Sequence, residues 1–144
     1  MAKQVYYEDA EVGYNLPTLV KHPTTQQLVR WAGAANDYYP IHYDKDFAQS
    51  QGLPGVIVHG LLITCFLSQL ITDWIGEEGT LSKLTSSYKG MAFPGEDIIC
   101  KGEVTKKYIK GEDHCVECRI SSENVKGEKL VTGTAIAILP TKQA

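Results

Sequence analysis

Gly60-Leu61-Leu62-Ile63-Thr64-Cys65-Phe66-Leu67-Ser68-Gln69-Leu70-Ile71-Thr72-Asp73-Trp74-Ile75 is the stretch from which the architecture can be read. It is apolar on nearly every face and stops at Gly76, a residue favoured just past a helix end. Such a helix is expected to be buried all round. At ~1.5 Å per residue it runs about 24 Å. With Ser68, Gln69 and Asp73 inside it, it is short and polar for a membrane span, so it reads as a core helix. After Gly76 the pattern changes to period two with β-rich composition. Strands are predicted over Leu81–Lys89, Ile98–Ile109, His114–Ser122 and Lys129–Leu139, separated by Pro94-Gly95, Lys110-Gly111-Glu112-Asp113 and Val125-Lys126-Gly127-Glu128. All three turns are short enough for hairpins. Strands in succession after one buried helix predict an α+β fold with an antiparallel sheet, not a βαβ type.

Upstream, Leu16 to Lys21 is expected to form a first strand. Thr24 or Thr25 can cap a helix through Ala35, with Leu28, Trp31, Ala32 and Ala35 as its core stripe. Asp44 is placed to cap a short helix through Ser50, ended near Gly52 and Pro54. A chain of 144 residues fits one domain over its full length, and that length buries about 68–70% of the unfolded surface. A net charge of −3 carries no electrostatic footprint for nucleic acid or an anionic membrane. Met1-Ala-Lys-Gln-Val lacks the apolar stretch of a signal peptide, which points to the cytoplasm. Cys65 and Cys100 sit in apolar surroundings, where free cysteine behaves as a small hydrophobe. Cys115-Val-Glu-Cys118 falls in a predicted strand, where residues three apart face opposite sides, and no second ligand pair completes a zinc site. No metal is expected.

Chemistry concentrates in Asn36-Asp37-Tyr38-Tyr39-Pro40-Ile41-His42-Tyr43-Asp44 and in Val58-His59-Gly60. Were residues 37 to 42 helical, a five-residue step at about 100° per residue would hold Asp37 and His42 roughly 140° apart. Pro40 prevents this by removing a donor and pushing Tyr39 toward an extended conformation. The segment should therefore be a fixed, irregular overhang bearing both side chains. A neutral imidazole can take a proton from water, and a nearby carboxylate can orient that water or exchange its second proton. On spacing alone a plainer reading stays open, with Asp37 as a turn former and His42 as a partly exposed hydrogen-bonding group. The first turn of the core helix leaves amides free at the positive end of its dipole, so the Gly60 N–H can stabilise a developing oxyanion. Gly60 also lacks a side chain that would block a ligand.

Asp37-x-x-Pro40-Ile41-His42-x-Asp44, with Phe47-Ala48 after it and Val58-His59-Gly60-Leu61-Leu62 further on, resembles the MaoC-like (R)-specific enoyl-thioester hydratases and hydroxyacyl-thioester dehydratases. The resemblance extends to an Asp9-x-x-x-Gly13 lead-in, to Leu28-Val29-x-Trp31-Ala32, and to Phe93-Pro94-Gly95 before Asp97. It implies a hot-dog fold, a long helix wrapped by an antiparallel sheet. It implies reversible hydration of a trans-2-enoyl thioester to an (R)-3-hydroxyacyl thioester, with Asp37 and His42 holding and activating water and the Gly60 amide as the oxyanion donor. Tyr39, Val58, His59 and Ser68 fall at substrate-contacting positions. No cofactor is implied beyond the coenzyme A or carrier-protein phosphopantetheine of the substrate itself. A homodimer or higher homo-oligomer is expected, with a heteromeric dehydratase partner as a further arrangement. The family usually reads Gly-Asp-x-Asn-Pro, whereas here Asn36 and Tyr39 stand where Gly and Asn are usual. Tyr39 either replaces the lost hydrogen bond with its hydroxyl or narrows the acyl pocket.

A hot-dog thioesterase and a non-catalytic acyl-CoA binding subunit are the alternatives, and retention of both Asp37 and His42 favours the hydro-lyase. His59 either touches ligand or fixes the loop against the overhang. His22 and His114 read as solvated. Lys101, Lys106, Lys107 and Lys110 read as a solvated face, although coenzyme A phosphates need basic contacts.

Overall fold

A computed structural model describes residues 3–143. In chain order these form β1 (Leu19–Lys21), α1 (Thr25–Ala35), α2 (Lys45–Ser50), α3 (Gly60–Ile75), β2 (Thr80–Tyr88), β3 (Ile98–Lys110), β4 (Asp113–Glu123) and β5 (Lys129–Ile138), with 3-10 turns at Tyr7–Asp9 and Pro40–His42. The strands make one antiparallel sheet in the order β1-β3-β4-β5-β2. α3 lies against it, and Ile63, Leu67, Leu70, Ile71 and Ile75 pack on Ile98, Cys100, Val104, Val116, Cys118, Ile120, Val131, Ala135 and Ala137. This is the helix-in-sheet arrangement of the hot-dog fold. Among the described residues no helix is long and apolar enough to cross a membrane.

Several expectations need correction. α3 is not buried all round: Leu61 is 56% exposed, and Cys65, Thr72 and Asp73 are exposed with it. The sheet wraps only one side, so residues spaced along the opposite face stay uncovered. Cys65 is therefore a surface thiol, not a buried one. The other three cysteines are free and buried, and burial pushes the Cys100 and Cys118 thiols up to about 12, which keeps them protonated and unreactive. Ala35 leaves the α1 core stripe: it is exposed, while Leu28 joins the core, Trp31 packs partly against it and Ala32 is buried.

β1 is also shorter than expected. Pro17 has no amide to give a ladder, and Leu16 pairs instead with the Gly102 carbonyl at 2.9 Å. β2 and β3 form no hairpin, because β2 crosses to the far edge and pairs with β5. The intervening segment is held by other partners, with Gly90 N–H on the Leu130 carbonyl and the Ala92 carbonyl accepting from Val58 N–H at 2.8 Å. This connection passes the N-terminal end of α3 and so helps build the site. The β3–β4 and β4–β5 connections are hairpins, as their turn residues predict.

Candidate active site

The overhang takes its shape from two local decisions. α1 ends at Asn36, whose φ of 53° and ψ of 37° are left-handed. Gly and Asn are the residues that take this conformation most readily, so Asn36 does here the backbone work of the Gly usual at this position. Pro40 then opens a 3-10 turn, with Tyr39 extended at φ −62° and ψ 124°. The Asp37 carboxylate lies 3.4 Å from the Tyr39 amide, and Asp44 caps α2 through the Phe47 N–H at 3.0 Å. Turn forming and site building are thus the same act.

His42 is buried, at 8% exposure, which sets aside the plainer reading of it as a partly exposed hydrogen-bonding group. Its Nδ1 is 2.8 Å from the Ile57 carbonyl. A carbonyl only accepts, so Nδ1 carries the proton and Nε2 keeps its lone pair as a base. Ile57 is itself pinned by its N–H to the Ile41 carbonyl. His59 lies under His42, ring centroids 3.8 Å apart and planes 19° from parallel. It is 1% exposed, and neither ring nitrogen has a hydrogen-bond partner among the described residues. Burial holds the His59 imidazole below its ordinary 6.5, and His42 adds to the effect. The Asp37 main chain and carboxylate pull the other way without reversing it.

Donor atoms of Asp37, His42 and His59 all lie within 4.8 Å of one another. Three such donors can in principle hold a divalent cation. Here the two rings are stacked, so their in-plane lone pairs run side by side instead of converging on a point, and His42 Nδ1 is already engaged. The set suits proton transfer better than coordination.

α3 starts at Gly60 with no side-chain cap from His59, so its amides present the positive helix end beside the two imidazoles. The space over the Gly60 α-carbon is taken. A Cβ there would stand 2.7 Å from Tyr88 Cε1 and 3.0 Å from Cδ1. Glycine at this position thus makes room for an aromatic ring of β2, a reason different from ligand access alone. The Tyr88 hydroxyl is 3.2 Å from Thr64 Oγ1, which also donates to Ser86 Oγ. Tyr88 was not singled out by sequence, because nothing local links the end of a strand to the start of a helix so far upstream.

The other expected contact residues scatter. Val58 is in the core and contributes backbone placement. Tyr39 is half-exposed and stands edge-on to His42 and Phe47 at 6.4 and 6.0 Å between centroids. The Ser68 hydroxyl donates to the Thr64 carbonyl of its own helix. Of the basic residues, Lys101 pairs with Glu123, while Lys106 and Lys107 lie over Tyr108 and Tyr7. His22, exposed as expected, meets Asp97 at 2.7 Å, and His114 packs on Tyr7. An open groove of about 560 Å³ flanks the overhang, lined among others by Tyr43, Lys45, Val56 and Phe93.

Comparison with known proteins adds an independent line. The family model described as "MaoC like domain" matches residues 9–126. An (R)-specific enoyl-CoA hydratase of Aeromonas caviae is 28% identical over 134 residues, covering 92% of this chain and 98% of that protein. Fatty acid synthase subunit beta of Aspergillus oryzae is 35% identical over 74 residues, 49% of this chain. The matched stretches make up only 4–5% of such fungal subunits. Among solved structures, R-hydratase PhaJ1 from Pseudomonas aeruginosa superposes with a TM-score of 0.87 at 24% identity, over 96% of this chain and 88% of that one.

Proposed function

The chain belongs to the MaoC-like domain family, and from that premise we propose that it is a hydro-lyase reversibly adding water to a trans-2-enoyl thioester to give an (R)-3-hydroxyacyl thioester. The observation that carries the reading is the His42 Nδ1 contact with the Ile57 carbonyl. It leaves Nε2 as a free base on a ring that clusters with the Asp37 carboxylate, donor atoms within 4.8 Å, next to an uncapped helix start. The Aeromonas caviae relative, matched along nearly its whole length, carries the name of this activity.

In the proposed reaction, Asp37 and His42 hold one water. His42 Nε2 takes a proton from it as the oxygen bonds to C3. The C2–C3 π electrons move to the thioester carbonyl, whose oxyanion accepts a hydrogen bond from Gly60 N–H. A donor of this kind is typically worth about 2.7–4 kcal/mol. The proton passes to Asp37 and from there to C2, which returns both groups to their starting states. The thioester supplies the acidity at C2, so the step requires neither metal nor redox cofactor. The carrier is coenzyme A or a protein-bound phosphopantetheine.

A homo-oligomer of at least two chains is part of this reading, since among the described residues β2 pairs only with β5 and leaves its outer edge open beside the exposed face of α3. A second, dehydratase-type partner chain would occupy the same edge. Chiral analysis of the product formed from crotonyl-CoA, run beside an assay for free thiol, tests the reaction. (R)-3-hydroxybutyryl-CoA without thiol release is the expected result. Free thiol with no hydroxyacyl product would make the protein a thioesterase, and neither product would make it a binding subunit.

A further inference from the structure

His59 is a buried polar ring stacked on the proposed base; among the described residues neither of its nitrogens makes a well-formed hydrogen bond, and Asp37 is the polar group beside it. Leaving a buried donor or acceptor without a good partner is unfavourable, and a leucine at this place would carry no such cost. The ring cannot act on His42 through a hydrogen bond. With the planes 19° from parallel and the centroids 3.8 Å apart, the two imidazoles meet face to face. What His59 offers is therefore its π face and its bulk. Both matter to a base. The Ile57 carbonyl fixes one edge of His42, yet a single hydrogen bond leaves the ring free to swing about that contact. A flat ring beneath it removes this freedom, while Tyr39 stands edge-on at 6.4 Å. A cation over a neutral aromatic face is also stabilised, and His42 becomes a cation when it takes a proton.

We propose that His59 is a positioning residue for the base: its neutral ring, packed on His42, keeps Nε2 aimed at the water and supports the imidazolium formed in the reaction. The proposal rests on the hydro-lyase reading above for its place in catalysis, and on geometry alone for the coupling of the two rings. His59 must remain neutral while His42 titrates. Two stacked imidazolium rings would repel, and burial opposes charge on His59. Asp37 and His42 are the titratable groups that act on it, His42 disfavouring a charge on His59 and Asp37 favouring it.

The test is an imidazole titration by ¹⁵N-resolved NMR on the wild-type protein, His59→Phe and His59→Gln, with kcat and KM measured on the same samples. In the wild type, His42 is expected to titrate while His59 stays neutral. In His59→Gln the His42 midpoint should fall by about half a pH unit, threefold in proton affinity, as expected for loss of an aromatic face. kcat should fall about tenfold with KM little changed, and the acid limb of the pH profile should move with the midpoint. His59→Phe, which keeps the face and drops the nitrogens, should retain both midpoint and kcat. The proposal is overturned if His59 titrates first in the wild type, or if the His42 midpoint is unmoved in His59→Gln. A midpoint that falls equally in both variants overturns it too, by assigning the effect to the nitrogens. The expected titrations in a protein that turns over no enoyl thioester would uphold the ring coupling and sink the hydro-lyase reading instead.

Discussion

At the scale of single residues, the site is governed by how each group is held. His59 has a consequence for stability as well as for chemistry. Its folded pKa lies below the ordinary 6.5, so between those two values the unfolded chain binds the extra proton and the folded chain does not. Stability therefore rises with pH through this window and is lost as pH falls below about 6.5. Denaturant unfolding across pH 5–8 should show this slope in the wild type, and His59→Gln should flatten it; an unchanged slope would place its origin elsewhere. Asn36 offers a second residue-scale prediction. Its left-handed backbone suits Gly about as well as Asn, so Asn36→Gly should be nearly neutral in thermal unfolding. Asn36→Val should cost about 1–2 kcal/mol, the penalty for a branched side chain in that region. Equal stabilities would mean that the helix end can shift register to avoid the strain.

At the scale of elements, the helices were the most legible part. Thr24 caps α1 and Asp44 caps α2 as their side chains predict, through Gln27 N–H and Phe47 N–H, because caps are local chemistry. The β3–β4 and β4–β5 hairpins were legible for the same reason. What sequence could not supply was the partner of β2, since a Pro-Gly turn signals a reversal without saying which strand lies beside it. Nor could apolar content alone show that α3 has an uncovered side. The same limit applies to the site. Asp37, His42 and Gly60 lay in readable motifs, whereas the His42–His59 stack and Tyr88 over Gly60 exist only once the elements are docked. The β2–β5 pairing rests on a glycine that sequence did not mark. A Cβ on Gly133 would fall on the Thr85 carbonyl oxygen, and that contact is backbone, so no rotamer relieves it. Gly133→Ala should separate the two strands there and destabilise the protein by more than the roughly 1–3 kcal/mol of ordinary overpacking, measured by urea unfolding. A cost below about 0.5 kcal/mol would show that the strands slide apart freely.

At the scale of the whole molecule, an open strand edge beside an uncovered helix face predicts self-association. Sedimentation equilibrium should give at least twice the 15.9 kDa of one chain, and Leu61→Glu, which puts a charge on that face, should shift the protein toward monomer. A wild type that is monomeric at micromolar concentration would contradict this. The same assembly of elements brings an overhang, a helix start and a strand end to one place, and the account stands on what that place does to an enoyl thioester. Its central claim is tested most directly by the rate of absorbance loss on adding the protein to crotonyl-CoA, compared among wild type, Asp37→Ala and His42→Ala. The account predicts steady hydration by the wild type and a fall of about a hundredfold or more in each variant, as for a lost acid–base group. Undiminished turnover in both variants would contradict it.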